Sequence, residues 1–90
     1  MKDLAPLADL KRLQGLTLFN CTGVTDLAPL AGLAQLRELD LMGCTGVADL
    51  APLAGLAQLQ NLDLTRCTGL NAQAVAAFRK SRPGTEVIGP

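Results

Sequence analysis

Apolar residues along this chain follow two alternating rhythms. From Leu27 the leucines fall every third position, at Leu27, Leu30, Leu33 and Leu36, and side chains three apart share one face of a tight helical turn. They then fall every second position, at Leu39 and Leu41 with Asp40 between them, which is the alternation of a strand with one face inward and one outward. The pattern predicts a short helical turn followed by a short strand. It recurs from Leu4 and from Leu50, so the chain divides into steps of 23 residues at 4–26, 27–49 and 50–72. The first two steps agree at 14 of 23 positions and the last two at 16 of 23. Self-similarity at this period marks a solenoid, whose units bury their apolar faces only against one another.

The punctuation supports the same division. Asp3, Asp26 and Asp49 stand just before the helical halves, where an acidic N-cap satisfies free amides. Pro6, Pro29 and Pro52 fall in the first turn, where a missing N–H does no harm. Gly23, Gly46 and Gly69 follow the strands, where a turn calls for the positive φ that glycine adopts freely.

The strand halves share a Leu-x-x-Leu-x-Leu-x-x-Cys-x-x-Val/Leu frame: Leu13, Leu16, Leu18, Cys21 and Val24; Leu36, Leu39, Leu41, Cys44 and Val47; Leu59, Leu62, Leu64, Cys67 and Leu70. This frame resembles the leucine-rich-repeat family. The stretch Cys21–Asp26 is similar to its cysteine-containing subtype, and Leu27–Leu33 is similar to its short bacterial repeats. The resemblance implies an α/β solenoid: a short right-handed arc with a parallel concave sheet, one strand per repeat, strands ~4.8 Å apart. It also implies one continuous core of stacked leucines.

The repeat fails after Ala72. Residues 72–81 read as a true helix with Asn71 as N-cap, Val75 and Phe78 on its apolar side, and Arg79, Lys80 and Arg82 near its C-terminal end, where cations favour the helix dipole. Pro83-Gly84 ends it, and residues 85–88 are β-prone. The expectation is a single domain over 1–90, with 71–90 forming a C-terminal helix–strand cap. No comparable cap precedes the first unit. Residues 1–3 are too few to cover its strand, so an open edge invites strand addition. A self-sufficient monomer, self-association through that N-terminal edge strand, and a fragment of a longer array all fit, with the monomer preferred.

Composition sharpens the picture. Nineteen residues are Leu against two Phe and no Trp or Tyr, so one residue type fills one recurring position. At 49% hydrophobic and 18% charged, the chain is not of the disordered class. Its formal net charge of zero argues against nucleic acid and polybasic membrane binding. No apolar run is long enough to cross a bilayer, and Asp3, Pro6 and Asp9 interrupt any signal-peptide pattern. Three cysteines leave at least one unpaired even if two neighbours form a strained disulfide, and together these features favour a soluble protein of a reducing compartment, the cytoplasm ahead of others.

Candidate chemistry is sparse. Cys21, Cys44 and Cys67 recur at the full period. They read either as thiolate ligands for zinc or as a column of buried thiols. The buried column is preferred, because no close Cys pair and no His accompany them. By the geometry of the resemblance, five positions per repeat face the concave side: Gln14, Gly15, Thr17, Phe19 and Asn20; Arg37, Glu38, Asp40, Met42 and Gly43; Gln60, Asn61, Asp63, Thr65 and Arg66. The repeats differ most there. Constant scaffold positions beside varying outward ones point to a surface that carries binding specificity. Phe19 and Met42 share a column and suit an interface anchor, unless Phe19 folds over the open edge and seals it. Asp40 and Asp63 read as an acid–base pair, a cation site or a solvated acidic pair offset by Arg37 and Arg66. The solvated pair is preferred.

No nucleophile–base constellation or phosphate-cradling loop is present, so the sequence predicts no enzyme, metal or cofactor. It predicts a module that binds another protein through Thr17, Phe19, Arg37, Glu38, Asp40, Met42, Asn61, Asp63 and Arg66. A structural spacer or a substrate-recognition segment of a larger leucine-rich-repeat protein is the alternative.

Overall fold

The helical half of each unit is a single 3-10 turn, at Ala5–Leu7, Ala28–Leu30 and Ala51–Leu53. The computed structural model describes residues 3–89; the expectation about residues 1–3 and the last position of 71–90 fall partly outside them. Each turn closes through an amide three residues on, as in Leu30 N–H donating to Leu27 O at 2.9 Å, with proline in its first turn. The aspartates act one position earlier than an N-cap. The caps are Leu4, Leu27 and Leu50, without side-chain bonds. Asp3, Asp26 and Asp49 instead accept from the amides of Ala5, Ala28 and Ala51, each at 2.9 Å.

The strands are β1 (Gly15–Thr17), β2 (Glu38–Asp40) and β3 (Asn61–Asp63), followed by α1 (Ala72–Ser81) and β4 (Glu86–Ile88). All pair in parallel in the order β1-β2-β3-β4. From Gly15 through Glu38 to Asn61 the register advances by the 23-residue period, but the next partner, Glu86, lies 25 residues on.

The two leucine rhythms converge on one core. Leu30, Leu33, Leu36, Leu39 and Leu41, with their counterparts Leu53, Leu56, Leu59, Leu62 and Leu64, are all buried, each worth roughly 1.5–3 kcal/mol of apolar transfer. In the first unit Leu7, Leu13 and Leu16 are only partly buried, and Leu10 is 46% exposed. Thiols tie the units together: Cys44 Sγ donates to Leu18 O at 2.8 Å and Cys67 Sγ to Leu41 O at 2.9 Å.

Positive φ falls elsewhere than expected. Among the described residues it occurs at Asn20, Gly43 and Arg66, one column at the repeat spacing, and at Gly89 directly after β4, and not at Gly23, Gly46 or Gly69. The later two of those glycines serve close approach instead. A Cβ on Gly46 would meet Val24 O at 2.9 Å, and one on Gly69 would meet Thr45 O at 2.5 Å. Neighbouring backbones pack too tightly there for a side chain.

After the third unit, α1 starts where Asn71 Oδ1 accepts from Ala74 N–H at 2.7 Å, and it buries Val75 and Phe78. The basic residues at its end do more than complement the dipole. Arg82 donates to Ala54 O at 3.3 Å and to Leu56 O, while Arg79 donates to Val87 O at 3.2 Å and Gly89 O at 3.3 Å. Thr85 Oγ1 donates to Leu59 O at 2.7 Å. Carbonyls of the third unit thus find donors in the segment that follows it, as buried polar groups must.

Candidate functional site

Strand alternation turns Leu16, Leu39, Leu62 and Val87 toward the core and leaves two rows on the outer face of the sheet. One row is Gly15, Glu38, Asn61 and Glu86; the other is Thr17, Asp40, Asp63 and Ile88. A shallow depression of about 360 Å³ crosses these rows, lined by Thr17, Glu38, Asp40, Asn61, Asp63 and Ile88 among others. Five of the nine residues singled out in the sequence therefore come together. Four of the eight outward strand positions carry carboxylates, and none carries a cation.

The remaining four do not line this depression. Arg37 precedes β2 and lines a separate hollow with Gln58, Gln60 and Arg82. Phe19 and Met42 sit in the turns after β1 and β2. Phe19 is 56% exposed and leaves Leu16 partly uncovered, so it does not seal the open edge. Arg66 is exposed in the turn after β3, at φ 65. That conformation costs a residue with a Cβ roughly 1–2 kcal/mol. The variation at 20, 43 and 66 therefore carries a backbone demand. Asn and Gly meet it readily, and Gly43 is packed so closely that a Cβ would lie 2.0 Å from Asn20 Oδ1.

Asp40 and Asp63 are lateral partners across β2 and β3, and each shapes its own turn. Asp40 Oδ1 accepts from Met42 N–H at 3.0 Å; Asp63 Oδ1 accepts from Thr65 N–H at 2.9 Å and Thr65 Oγ1–H at 2.6 Å. One oxygen of each carboxylate is engaged in this way. Among the described residues, no group of three or more His, Cys, Asp or Glu is placed to hold a metal ion.

The inner thiols are chemically quiet. Burial raises the Cys44 thiol and pushes Cys67 up to about 11, so both remain protonated donors where a metal ligand or nucleophile would have to be thiolate.

Sequence reasoning missed Glu86 and Ile88 as members of the outer face. The alternation of Glu86, Val87 and Ile88 was visible, but the 25-residue step that aligns them with Asn61 and Asp63 was not.

No family model matches the sequence, and no curated protein matches it. Among solved structures, the fold is similar to internalin inlF of Listeria monocytogenes str. 4b F2365, with TM-score 0.52 and 21% identity over 100% of this chain and 34% of that one. It is also similar to internalin C2 of the same strain, with TM-score 0.53 and 27% identity over 97% of this chain and 46% of that one. The chain thus spans less than half the length of either. Both are leucine-rich-repeat proteins, and the chain shares the leucine-rich-repeat fold. Among the described residues, no helix is long and apolar enough to cross a membrane.

Proposed function

We propose that this chain is a protein-interaction module that binds its partner through the outer face of the sheet. Three 23-residue repeats form the binding surface, and residues 71–90 act as the cap that closes the last of them. The observation that carries the reading is the charge of that face. Glu38, Asp40, Asp63 and Glu86 occupy outward positions of three adjacent strands with no cation among them, in a chain whose net charge is zero. An acidic depression favours a partner segment that presents Lys or Arg. Phe19 and Met42 add apolar contact at one rim and Arg66 a charge in the following turn. No catalytic group is assigned, and the partner is a protein, neither nucleic acid nor membrane.

The test neutralises the face while keeping its turns. Glu38→Gln, Asp40→Asn and Asp63→Asn retain the oxygen acceptors used by Met42 and Thr65. Both proteins are used to select peptides from a random display library. The expected result is enrichment of Lys- and Arg-containing sequences by the native chain, reduced at least about tenfold with the variant at unchanged Tm, as loss of close charge pairs implies. Equal selection by both proteins would overturn the acidic face as the binding surface, and none by either would favour the alternative of a spacer segment.

A further inference from the structure

The hollow beside the acidic face is its electrostatic opposite. It has a volume of about 440 Å³, and Arg37, Gln58, Gln60 and Arg82 are its long polar side chains. No Asp or Glu lines it, although the chain holds as many acidic residues as basic ones. Arg37 and Gln60 stand at equivalent places just before β2 and β3, because Glu38 pairs with Asn61, and adjacent strands lie about 4.8 Å apart. The carbonyl of Arg37 accepts the amides of Gln60 and Asn61 at 2.7 and 3.0 Å, which fixes the backbone here while the side chain is exposed. The counterparts of Arg37 in the other units are Gln14 and Gln60, so the fold does not require arginine at this place. Arg82 is half-buried on the opposite wall, where its Nη1 and Nη2 donate to Ala54 O and Leu56 O. A guanidinium carries five N–H donors, and these two bonds leave the others for a ligand. A side chain already held by such anchors gives up little further freedom on binding.

We propose that this hollow is a carboxylate-binding subsite, taking an Asp or Glu side chain, or a free C-terminus, of the segment whose Lys or Arg enters the acidic depression. The inference rests on that reading of the outer face and deepens it: the partner segment carries both charges. The fork of a guanidinium matches the two oxygens of a carboxylate, and the amides of Gln58 and Gln60 supply neutral donors beside it. Glu38 and Glu86 directly follow the lining residues Arg37 and Thr85. These carboxylates favour a monoanion over a phosphate dianion, since like charges brought together cost affinity. The register sets the spacing. Arg37 precedes Asp40 by three residues, so an extended segment lying along β2 carries its acidic group about three residues, roughly 10 Å, from its basic one.

Because Arg82 anchors the cap, the test uses Arg37→Gln, which installs the residue that the neighbouring units hold there. Random peptides are selected by the native chain and by this variant from two display libraries, one with free C-termini and one with C-termini blocked by fusion. The native chain is expected to enrich peptides that pair a carboxylate with Lys or Arg. Selection from both libraries identifies a side chain as the source, and selection confined to the first identifies the terminus. Converting that carboxylate to an amide should weaken binding to the native chain at least about tenfold by fluorescence anisotropy, and binding to Arg37→Gln less than about twofold, as loss of one charge-assisted contact implies. Basic peptides selected without a carboxylate, and equally by both proteins, would overturn the subsite and leave the acidic face standing. Acidic peptides selected without Lys or Arg, and lost with Arg37→Gln, would overturn the acidic face and keep the subsite. Tighter binding when phosphoserine replaces the acidic residue overturns the carboxylate assignment, and no selection by either protein overturns both readings.

Discussion

Cys44 and Cys67 join neighbouring repeats as thiol donors, and that use makes stability depend on pH. The buried, neutral form is favoured, so the folded-state pKa of Cys67 rises from 9.0 to about 11. A raised pKa contributes stability that is complete below the unfolded value and is lost as pH climbs through the folded one. The urea midpoint is therefore expected to fall between about pH 9 and about pH 11, by an amount equivalent to roughly 2 kcal/mol. Cys67→Ser keeps a donor toward Leu41 O without this titration and should flatten the fall. An equal fall in both proteins would assign it to other groups. Arg66 is the other residue whose role depends on its conformation. In a column with Asn20 and Gly43 it alone combines a long side chain with positive φ. The backbone gives no reason for arginine there, which is consistent with a use at the surface.

Among elements, α1 is the one whose limits are plainest in the sequence. Asn71 and Pro83-Gly84 bracket it, and Val75 and Phe78 mark its buried side. What holds α1 in place is less legible, because the polar anchors that follow it reach residues far away in sequence. Thr85 and Arg82 bond carbonyls 26 residues back, at Leu59 and Leu56. Phe78 is buried at 5% exposure, and Phe78→Ala is expected to cost about 3–5 kcal/mol in urea unfolding. It should also speed exchange of the Glu86 amide, which donates to Gln60 O. A cost under about 1 kcal/mol, typical of a surface change, would mean that β4 holds the end of the stack without the helix.

At the scale of the whole molecule, each unit contacts only its neighbours, so protection should vary along the stack. Unit 27–49 is flanked on both sides, while unit 4–26 has a partly exposed Leu7, Leu13 and Leu16. Hydrogen exchange is expected to be slowest at Leu41 and Gly43, whose amides bond Asp63 O and Thr65 O across the sheet. It is expected to be faster at Leu7 and Leu13, which are partly buried, than at the equivalent Leu30 and Leu36, which are buried, although all four amides bond within their own turns. Equal protection throughout would show that the chain opens as one cooperative body.

The sequence by itself determined the period, the alternation of turn and strand, the leucine core and the bounds of α1. All of these follow from local spacing, since a period of three or two decides which side chains share a face. Five of the nine predicted surface residues met in one depression for the same reason. Only the tertiary structure decided the rest. The two-residue excess before β4 set Glu86 beside Asn61 and Ile88 beside Asp63, and the approach of one repeat to the next explained Gly46 and Gly69. The thiols and Arg82 found their acceptors 26 residues away. These features depend on distances between repeats, and a linear pattern carries the spacing within a unit but not how closely the units stack.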